Sequence, residues 1–398
     1  MNNILEMQYR EGCGGDQLSV LGYGCMRFSQ KGNGIDYEKA ETELLKAIEL
    51  GVNYFDTAYI YSGSEAALGE IFGRNHCRDK IYLATKLPQY LVRSAGAIDK
   101  YFNTQRKRLK TDHIDYYLIH MLNDVATWQR LEKLGIKEWI DKKKASGEIR
   151  HIGFSFHGNT EMFLKLLDIY QWDFCQIQYN YMDEFSQAGR EGLIAASKKG
   201  LPVIVMEPLR GGSLVTQLPH EASELIEGHE PHRSPAEWAL RWLWDQPEVT
   251  CVLSGMNSLE MLHENVEVGA TAMPNALTSE DLNFIQEIKE KIGAGVKVGC
   301  TGCGYCKPCP QGVDIIGSFR CYNLEGLEGK RKAVKEYIKI TAAQKKPGSA
   351  SLCNECGRCE THCPQNIPIR KELKNVKREL ETPFYKLSKI AFRMINRW

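Results

Sequence analysis

Short apolar runs recur along the first two thirds of the chain, at Ser19 to Gly24, Val52 to Asp56, Ile81 to Lys86, Ile114 to His120, Arg150 to Ser155, Phe174 to Gln178, Pro202 to Glu207 and Thr250 to Ser254. Most are separated by stretches with apolar positions three or four apart, such as Glu38 to Leu50 and Glu161 to Tyr170, which is the spacing of an amphipathic helix. Eight strand-then-helix units within roughly 250 residues predict an α/β fold, a closed parallel (β/α)8 TIM barrel ringed by helices. The competing arrangement is an open doubly wound sheet. Its dinucleotide fingerprint is broken here, because Gly22 and Gly24 follow the first run but Arg27 stands where the third glycine belongs.

Polar residues gather where the runs end: Asp56, Lys86, His120, Ser155, Gln176, Glu207 and Ser254 each close or nearly close a different one. In a parallel barrel all strands end at one face, and that face carries the chemistry. Two long loops are expected there, one after His120 through Trp128 to Gly135 and one from Gly211 to Pro235. Such loops act as lids or binding segments, or are variable decoration. Helical periodicity resumes at Glu264 to Gly269 and at Ser279 to Ile292, with Ser279 as candidate N-cap, until Gly293, Gly295 and Gly299 mark a boundary. The expected domains are therefore a barrel over 1–292, a cysteine-rich domain over 293–375 and a tail over 376–398.

With 398 residues, 43% hydrophobic and 25% charged, the composition is that of an ordinary globular protein, which excludes disordered, collagenous and coiled-coil classes. Lys and Arg number 51 against 50 Asp and Glu, so no global charge calls for a nucleic-acid partner. No run has the length of a transmembrane span, and Met1 to Arg10 lacks the apolar core of a secretory signal. A cytoplasmic location is expected, where clustered thiols hold metal rather than form disulfides.

Eight of the 14 cysteines fall in two groups: Cys300, Cys303, Cys306 and Cys309 followed by Pro310, and Cys353, Cys356, Cys359 and Cys363 followed by Pro364. The second group is the bacterial ferredoxin run, and the first has one residue fewer before its last cysteine. Three closely spaced thiolates hold one cubane while the fourth, turned away by its proline, reaches the other. Cys363 then completes the cluster of Cys300, Cys303 and Cys306, and Cys309 that of Cys353, Cys356 and Cys359. This predicts two [4Fe-4S] clusters in a small α+β ferredoxin-like domain; the alternative is a pair of four-thiolate zinc sites. Cys13, Cys25, Cys77, Cys175 and Cys251 have no such spacing and read as small buried apolar residues, and Cys321 also lacks a partner spacing.

The segments Tyr-Phe-Asp-Thr-Ala-Tyr-Ile-Tyr (Tyr54 to Tyr61), Ala-Thr-Lys ending at Lys86 and Asp-Tyr-Tyr-Leu-Ile-His ending at His120 resemble the aldo-keto reductases, from Leu18 to about Asn265. The resemblance implies a catalytic set of Asp56, Tyr61, Lys86 and His120 acting on an aldehyde or ketone. Hydride reduction of a carbonyl builds negative charge on oxygen, so the site must donate a proton there. A phenol with an ordinary pKa near ~10 does so poorly unless a neighbouring ammonium favours its phenolate. Lys86 supplies that charge, Asp56 holds it, His120 orients the carbonyl and Tyr61 is the general acid, with Tyr59 its rival.

The resemblance further implies NADPH or NADH, with Ser155 and Gln176 at the nicotinamide carboxamide and Glu264 and Asn265 near the adenine. Phe156 replaces the usual asparagine, Met206 the usual stacking aromatic, and Gly255 and Met261 the cations commonly given to the 2′-phosphate. Taken whole, with Thr301 to Cys306, Ser155 to His157 and Met206 to Gly212, the chain resembles the bacterial and archaeal subgroup of the family that carries a two-cluster ferredoxin domain. Two mechanisms are then open: conventional hydride transfer with structural or partner-docking clusters, or delivery of single electrons from a ferredoxin or flavodoxin to a carbonyl or conjugated double bond in the barrel. A non-catalytic redox sensor is a third class. Residues 371–398 carry eight Lys or Arg against three Glu, and Phe384, Leu387, Ala391, Met394 and Trp398 fall near one helical face with Lys386, Lys389, Arg393 and Arg397. A basic amphipathic helix is expected, either touching an acidic redox partner or an anionic membrane surface, or packed on its own barrel.

Overall fold

Alternation along each apolar run decides which side chains enter the barrel, since every second residue of a strand points to the same side. A computed structural model describes residues 6–32, 34–344 and 347–396. Its strands β1 (Leu21–Gly24), β2 (Tyr54–Asp56), β3 (Tyr82–Leu87), β4 (Ile114–Ile119), β5 (Ile149–Phe156), β6 (Phe174–Gln178), β7 (Val203–Met206) and β8 (Cys251–Ser254) close into a parallel barrel. Each strand pairs with the next in sequence, and β8 returns to β1 through Val252, Leu253 and Ser254 opposite Leu21, Gly22 and Tyr23.

The barrel floor is one buried cluster of Tyr54, Ala84, Tyr116, Leu118, Phe174, Ile204, Cys251 and Leu253, joined by Cys13 and Leu18 of an N-terminal hairpin. Each buried ring contributes about 1.5–3 kcal/mol, so the floor is a stiff support. Gly22 is required in it: a Cβ there would lie 2.8 Å from both Cys251 Sγ and Leu253 Cδ2. Two residues beyond Tyr54, Ala84, Leu118 and Phe174 stand Asp56, Lys86, His120 and Gln176, on the same side of the pleat and one layer higher. These four predicted site residues are thus lifted toward the mouth by strand periodicity.

The stretch after His120 is not an open loop. Asp124 caps a helix at Val125–Glu132 by accepting from Thr127 N (2.6 Å), and Trp128 and Leu131 bury its inner face. Its short apolar spacing was hidden between polar neighbours. Cys13, Cys25, Cys77, Cys175 and Cys251 are all buried thiols.

Arg210–Pro235 and Ser279–Trp398 form a second compact unit. Within it the segment 210–235 is part helical (His220–Glu227) and is tied to the helix Ser279–Gly295 by Arg233 to Asp281 (2.7 Å) and Lys291 to Glu221 (3.3 Å). Its core gathers Phe319, Tyr322, Val334, Tyr337, Leu373, Val376 and Leu380 from helices, with Cys300, Cys306, Cys309, Cys353, Cys359 and Cys363 packed against it. Where an α+β domain was expected, helices carry the packing, and no strand follows Ser254 among the described residues. Pro308, Pro310 and Pro364 lack the donor a ladder needs, and Gly302, Gly304 and Gly357 turn the cysteine loops at φ 68°, 88° and 78°.

The tail is helical over Pro383–Asn396, anchored by the buried Tyr385 in the second unit's core and by Lys389 Nζ donating to Ser349 Oγ (3.3 Å). Phe384, Leu387 and Ile390 are exposed. Arg397 and Trp398 lie outside the described residues. Among the described residues no helix is long and apolar enough to cross a membrane.

Candidate active site

Lys86, 1% exposed, donates from Nζ to Asp56 Oδ1 (2.5 Å) and to the Thr57 carbonyl (2.8 Å). Gln176 Nε2 donates to the other carboxylate oxygen, Oδ2, at 2.9 Å. A buried ammonium is tolerable only when paired and hydrogen-bonded, and here β2 and β6 supply what β3 needs. The same Nζ lies 5.1 Å from the centroid of the Tyr61 ring, which meets the His120 ring edge-on at 6.3 Å. Asp56, Tyr61, Lys86 and His120 are therefore brought together. Tyr59 is drawn elsewhere, stacked edge-on with Tyr101 (5.0 Å) and beneath the Arg108 guanidinium (4.5 Å).

Ser155 Oγ accepts from Met121 N (2.9 Å) and so braces the turn after His120, where Met121 takes φ 52°. Gln176 keeps its Oε1 buried without a partner, an acceptor available to an amide N–H. Asn265 Nδ2 donates to Ser254 Oγ (3.0 Å), joining the end of β8 to the helix Leu259–Thr271; Glu264 is half-buried on that helix. Phe156 faces outward onto Phe163 (4.9 Å), which explains why an aromatic ring is accommodated there.

Sequence reasoning missed three contributors. Arg27 lies beside Gly255: a Cβ built on that glycine would be 3.6 Å from Arg27 Cδ. Glu65 sits behind β3, accepting from Thr85 Oγ1 (2.8 Å), Gln105 Nε2 (2.8 Å) and Arg108 Nη1 (3.1 Å), while Gln105 also donates to the Lys86 carbonyl (3.0 Å). His157 is the third, buried with Nδ1 3.1 Å from Gln187 Oε1. Only the outward-facing Thr85 beside Lys86 on β3 signals the Glu65 network, and the signal is weak.

Burial pushes the His120 imidazole well below its ordinary range, helped by Lys86 and His157, so the ring is neutral and carries one N–H and one lone pair. Burial likewise brings His157 down to about 4, against the hydrogen bond to Gln187 and with the Lys86 charge. In the range below ~6.5 the unfolded chain takes up a proton that the folded barrel refuses. Barrel stability should therefore fall as pH drops from ~6.5 through about 4, by on the order of 3 kcal/mol from His157 alone. Urea unfolding at neutral and acid pH, followed by the fluorescence of barrel tryptophans such as Trp128 and Trp244, measures this, and His157→Gln should flatten the slope. Removing one partner of the buried pair has its own cost: Asp56→Ala should destabilise the barrel by about 3–5 kcal/mol, read in the same assay at neutral pH.

In the second unit, one cavity is lined by Cys300, Cys303, Cys306 and Cys363, and another by Cys309, Cys353, Cys356 and Cys359, with Cys306 bordering both. Among the described residues no group of three His, Cys, Asp or Glu is arranged to hold a single metal ion; the thiols line two neighbouring cavities that share Cys306. Glu355 N donates to Cys353 Sγ (3.4 Å), a contact that suits a thiolate ligand.

Residues 20–290 match the family model for the aldo/keto reductase family, and residues 299–368 that for a 4Fe-4S dicluster domain. An aldo-keto reductase of Gibberella moniliformis is 28% identical over 232 residues, covering 56% of this chain and 68% of its own length. Among solved structures, the holo form of AKR11C1 from Bacillus halodurans is 25% identical, covers 71% of this chain and 96% of that one, and has a TM-score of 0.59. An aldo-keto reductase from Klebsiella pneumoniae, solved in complex with NADPH, shares the fold at 21% identity over 71% of this chain and 95% of its own, with a TM-score of 0.60. The dicluster match replaces the zinc alternative. A barrel matched over more than half of the 398 residues, with its strand ends converging on one buried lysine, makes the chain a member of the aldo/keto reductase family, an oxidoreductase that carries a 4Fe-4S dicluster domain after its barrel.

Proposed function

We propose that the barrel reduces a small-molecule aldehyde or ketone, with Tyr61 as general acid and NADPH or NADH as reductant. The observation that carries this reading is the Lys86 ammonium, held by Asp56 and Thr57 and set 5.1 Å from the Tyr61 ring. As negative charge builds on the carbonyl oxygen, the Tyr61 hydroxyl releases its proton to it, and Lys86 stabilises the phenolate left behind. Neutral His120 directs the carbonyl oxygen toward Tyr61. Asp56 keeps Lys86 charged and in place while Gln176 fixes the second carboxylate oxygen.

The residues present fit a nicotinamide dinucleotide, which when bound supplies the hydride. The unpartnered Gln176 Oε1 suits its carboxamide, Ser155 flanks that position on β5, and the Glu264–Asn265 helix with Arg27 beside Gly255 offers a cation to its adenosine end. The eight cysteines fit two clusters in the crossed pairing, Cys363 with Cys300, Cys303 and Cys306, and Cys309 with Cys353, Cys356 and Cys359. The dicluster domain favours a second reading, in which a ferredoxin or flavodoxin delivers single electrons to the barrel-bound substrate.

An anaerobic assay of the cluster-loaded protein with a panel of aldehydes and ketones separates the two. Under the first reading each mole of NADPH or NADH oxidised yields one mole of alcohol, and Arg27→Ala raises the KM for the cofactor. Turnover with reduced ferredoxin and none with either nicotinamide overturns it in favour of the second.

A further inference from the structure

The two cysteine cavities differ in what else lines them. The cavity of Cys300, Cys303, Cys306 and Cys363 has walls of Ile315, Ile316, Phe319, Ile367 and Ile369, and no Lys, Arg, Asp or Glu. That of Cys309, Cys353, Cys356 and Cys359 includes Lys307, Arg358 and Arg370, and no acid. Arg370 is compensated by Glu360 (2.8 Å) and Lys307 lies 3.6 Å from Asp314, whereas Arg358 has no ion pair among the described residues. Cys356 is also exposed, while the other seven motif cysteines are only partly so.

Both differences act in one direction. A cubane on four thiolates gains a further negative charge on reduction, and its potential rises with nearby cations and with access to solvent. The apolar wall penalises the same added charge. We propose that the cluster of Cys309, Cys353, Cys356 and Cys359 is the higher-potential member of the pair and the port at which an acidic one-electron carrier protein docks, through Arg358 and Lys307. The inference rests on the crossed ligand assignment above. In the step, one electron leaves the reduced carrier, which is oxidised by one, and enters the cluster, which is reduced by one; no bond forms or breaks and no proton moves. Opposite charge draws the carrier to this face and makes the rate depend on salt.

The test uses the full-length, cluster-loaded protein in a potentiometric titration monitored by electron paramagnetic resonance. Two waves are expected, and Arg358→Gln and Lys307→Gln should lower the upper one while leaving the lower in place; Lys165→Gln on the barrel should move neither. Cys356→Ser should alter the signal of the upper wave alone. In stopped flow, with a reduced acidic two-cluster ferredoxin as the probe, cluster reduction should slow about tenfold from low to high salt. Arg358→Glu should produce a similar loss at low salt that vanishes at high salt. The methyl viologen radical cation, of opposite charge, should show the reverse salt trend. A lower wave that moves, an upper wave indifferent to both charge variants, or a ferredoxin rate insensitive to salt and to Arg358→Glu overturns the inference. A Cys356→Ser change confined to the lower wave likewise overturns the inference, because it makes that cluster the lower-potential one, whereas a Cys363→Ala change in the upper wave in place of the lower overturns the ligand assignment, which keeps the two failures apart.

Discussion

Tyr61→Phe is expected to lower kcat for carbonyl reduction by about 10²–10⁴-fold, the range of a lost general acid, or about 3–5 kcal/mol of barrier. The ring that packs against His120 and lies near Lys86 is retained, so the fold and the affinity for the nicotinamide should hold. That contrast identifies the hydroxyl rather than the packing as the functional part. Lys86→Met should also abolish most of the rate, but it strands the Asp56 carboxylate, which is buried with Gln176 as its other partner, and so lowers stability as well. Tyr59→Phe should change kcat by no more than about twofold, since that ring is held by Tyr101 and Arg108. Steady-state rates across the pH range, with unfolding curves for each variant, separate the three. A Tyr61→Phe enzyme at full rate would remove the proposed mechanism.

The barrel was legible because one physical rule writes both its floor and its mouth. A period of two places Tyr54 in the floor and Asp56 at the mouth of the same strand, and repeats this at Ala84 and Lys86 and at Phe174 and Gln176. The separation of Tyr61 from Tyr59 was not legible, since both follow Asp56 in one loop and only the path of that loop past the helix Ala95–Leu109 sends one ring to each side. Nor was the role of Gln176 as a brace for Asp56. It comes from a strand 120 residues away, and no local pattern records a contact at that separation. The helix at Val125–Glu132 escaped because its stability comes from an Asp124 cap and two buried residues rather than from a long periodic stripe. Cysteine spacing carried the cluster motifs, yet the Pro and Gly between them leave the cysteine loops without a strand, and the helices that pack the domain, Ile315–Glu328, Lys330–Tyr337 and Ile369–Leu380, lie outside the motifs.

Neutral histidines give the site a consistency that no single residue states. A protonated His120 beside Lys86 would add a second charge to a pocket that has one carboxylate to offer. Burial removes that competition, and in the proposed mechanism the ammonium alone faces Tyr61 and proton donation is left to the phenol. The Glu65 network serves the same end from outside, since Gln105 holds the Lys86 carbonyl and fixes the strand end from which Nζ reaches its partners.

The second large effect is expected in the dicluster domain and depends on which cysteine completes which cluster. If Cys363 belongs with Cys300, Cys303 and Cys306, as their shared cavity suggests, Cys363→Ala should cost the cluster held by the first motif although the substitution lies in the second. Cys309→Ala should do the reverse. Iron content should fall from about eight to about four per chain in each variant, with complementary signals surviving in electron paramagnetic resonance. Because both groups of thiols pack against the helical core of Phe319, Tyr337 and Leu373, losing either cluster also withdraws folding free energy from that core. Limited proteolysis should then open residues 293–398 while the barrel tryptophans keep their native fluorescence. Local pairing, in which each motif holds its own cluster with all four of its cysteines, makes the opposite assignment: Cys363→Ala would spare the first motif's signal and remove the second's. The pair of variants decides between them, since each scheme forbids the pattern that the other requires.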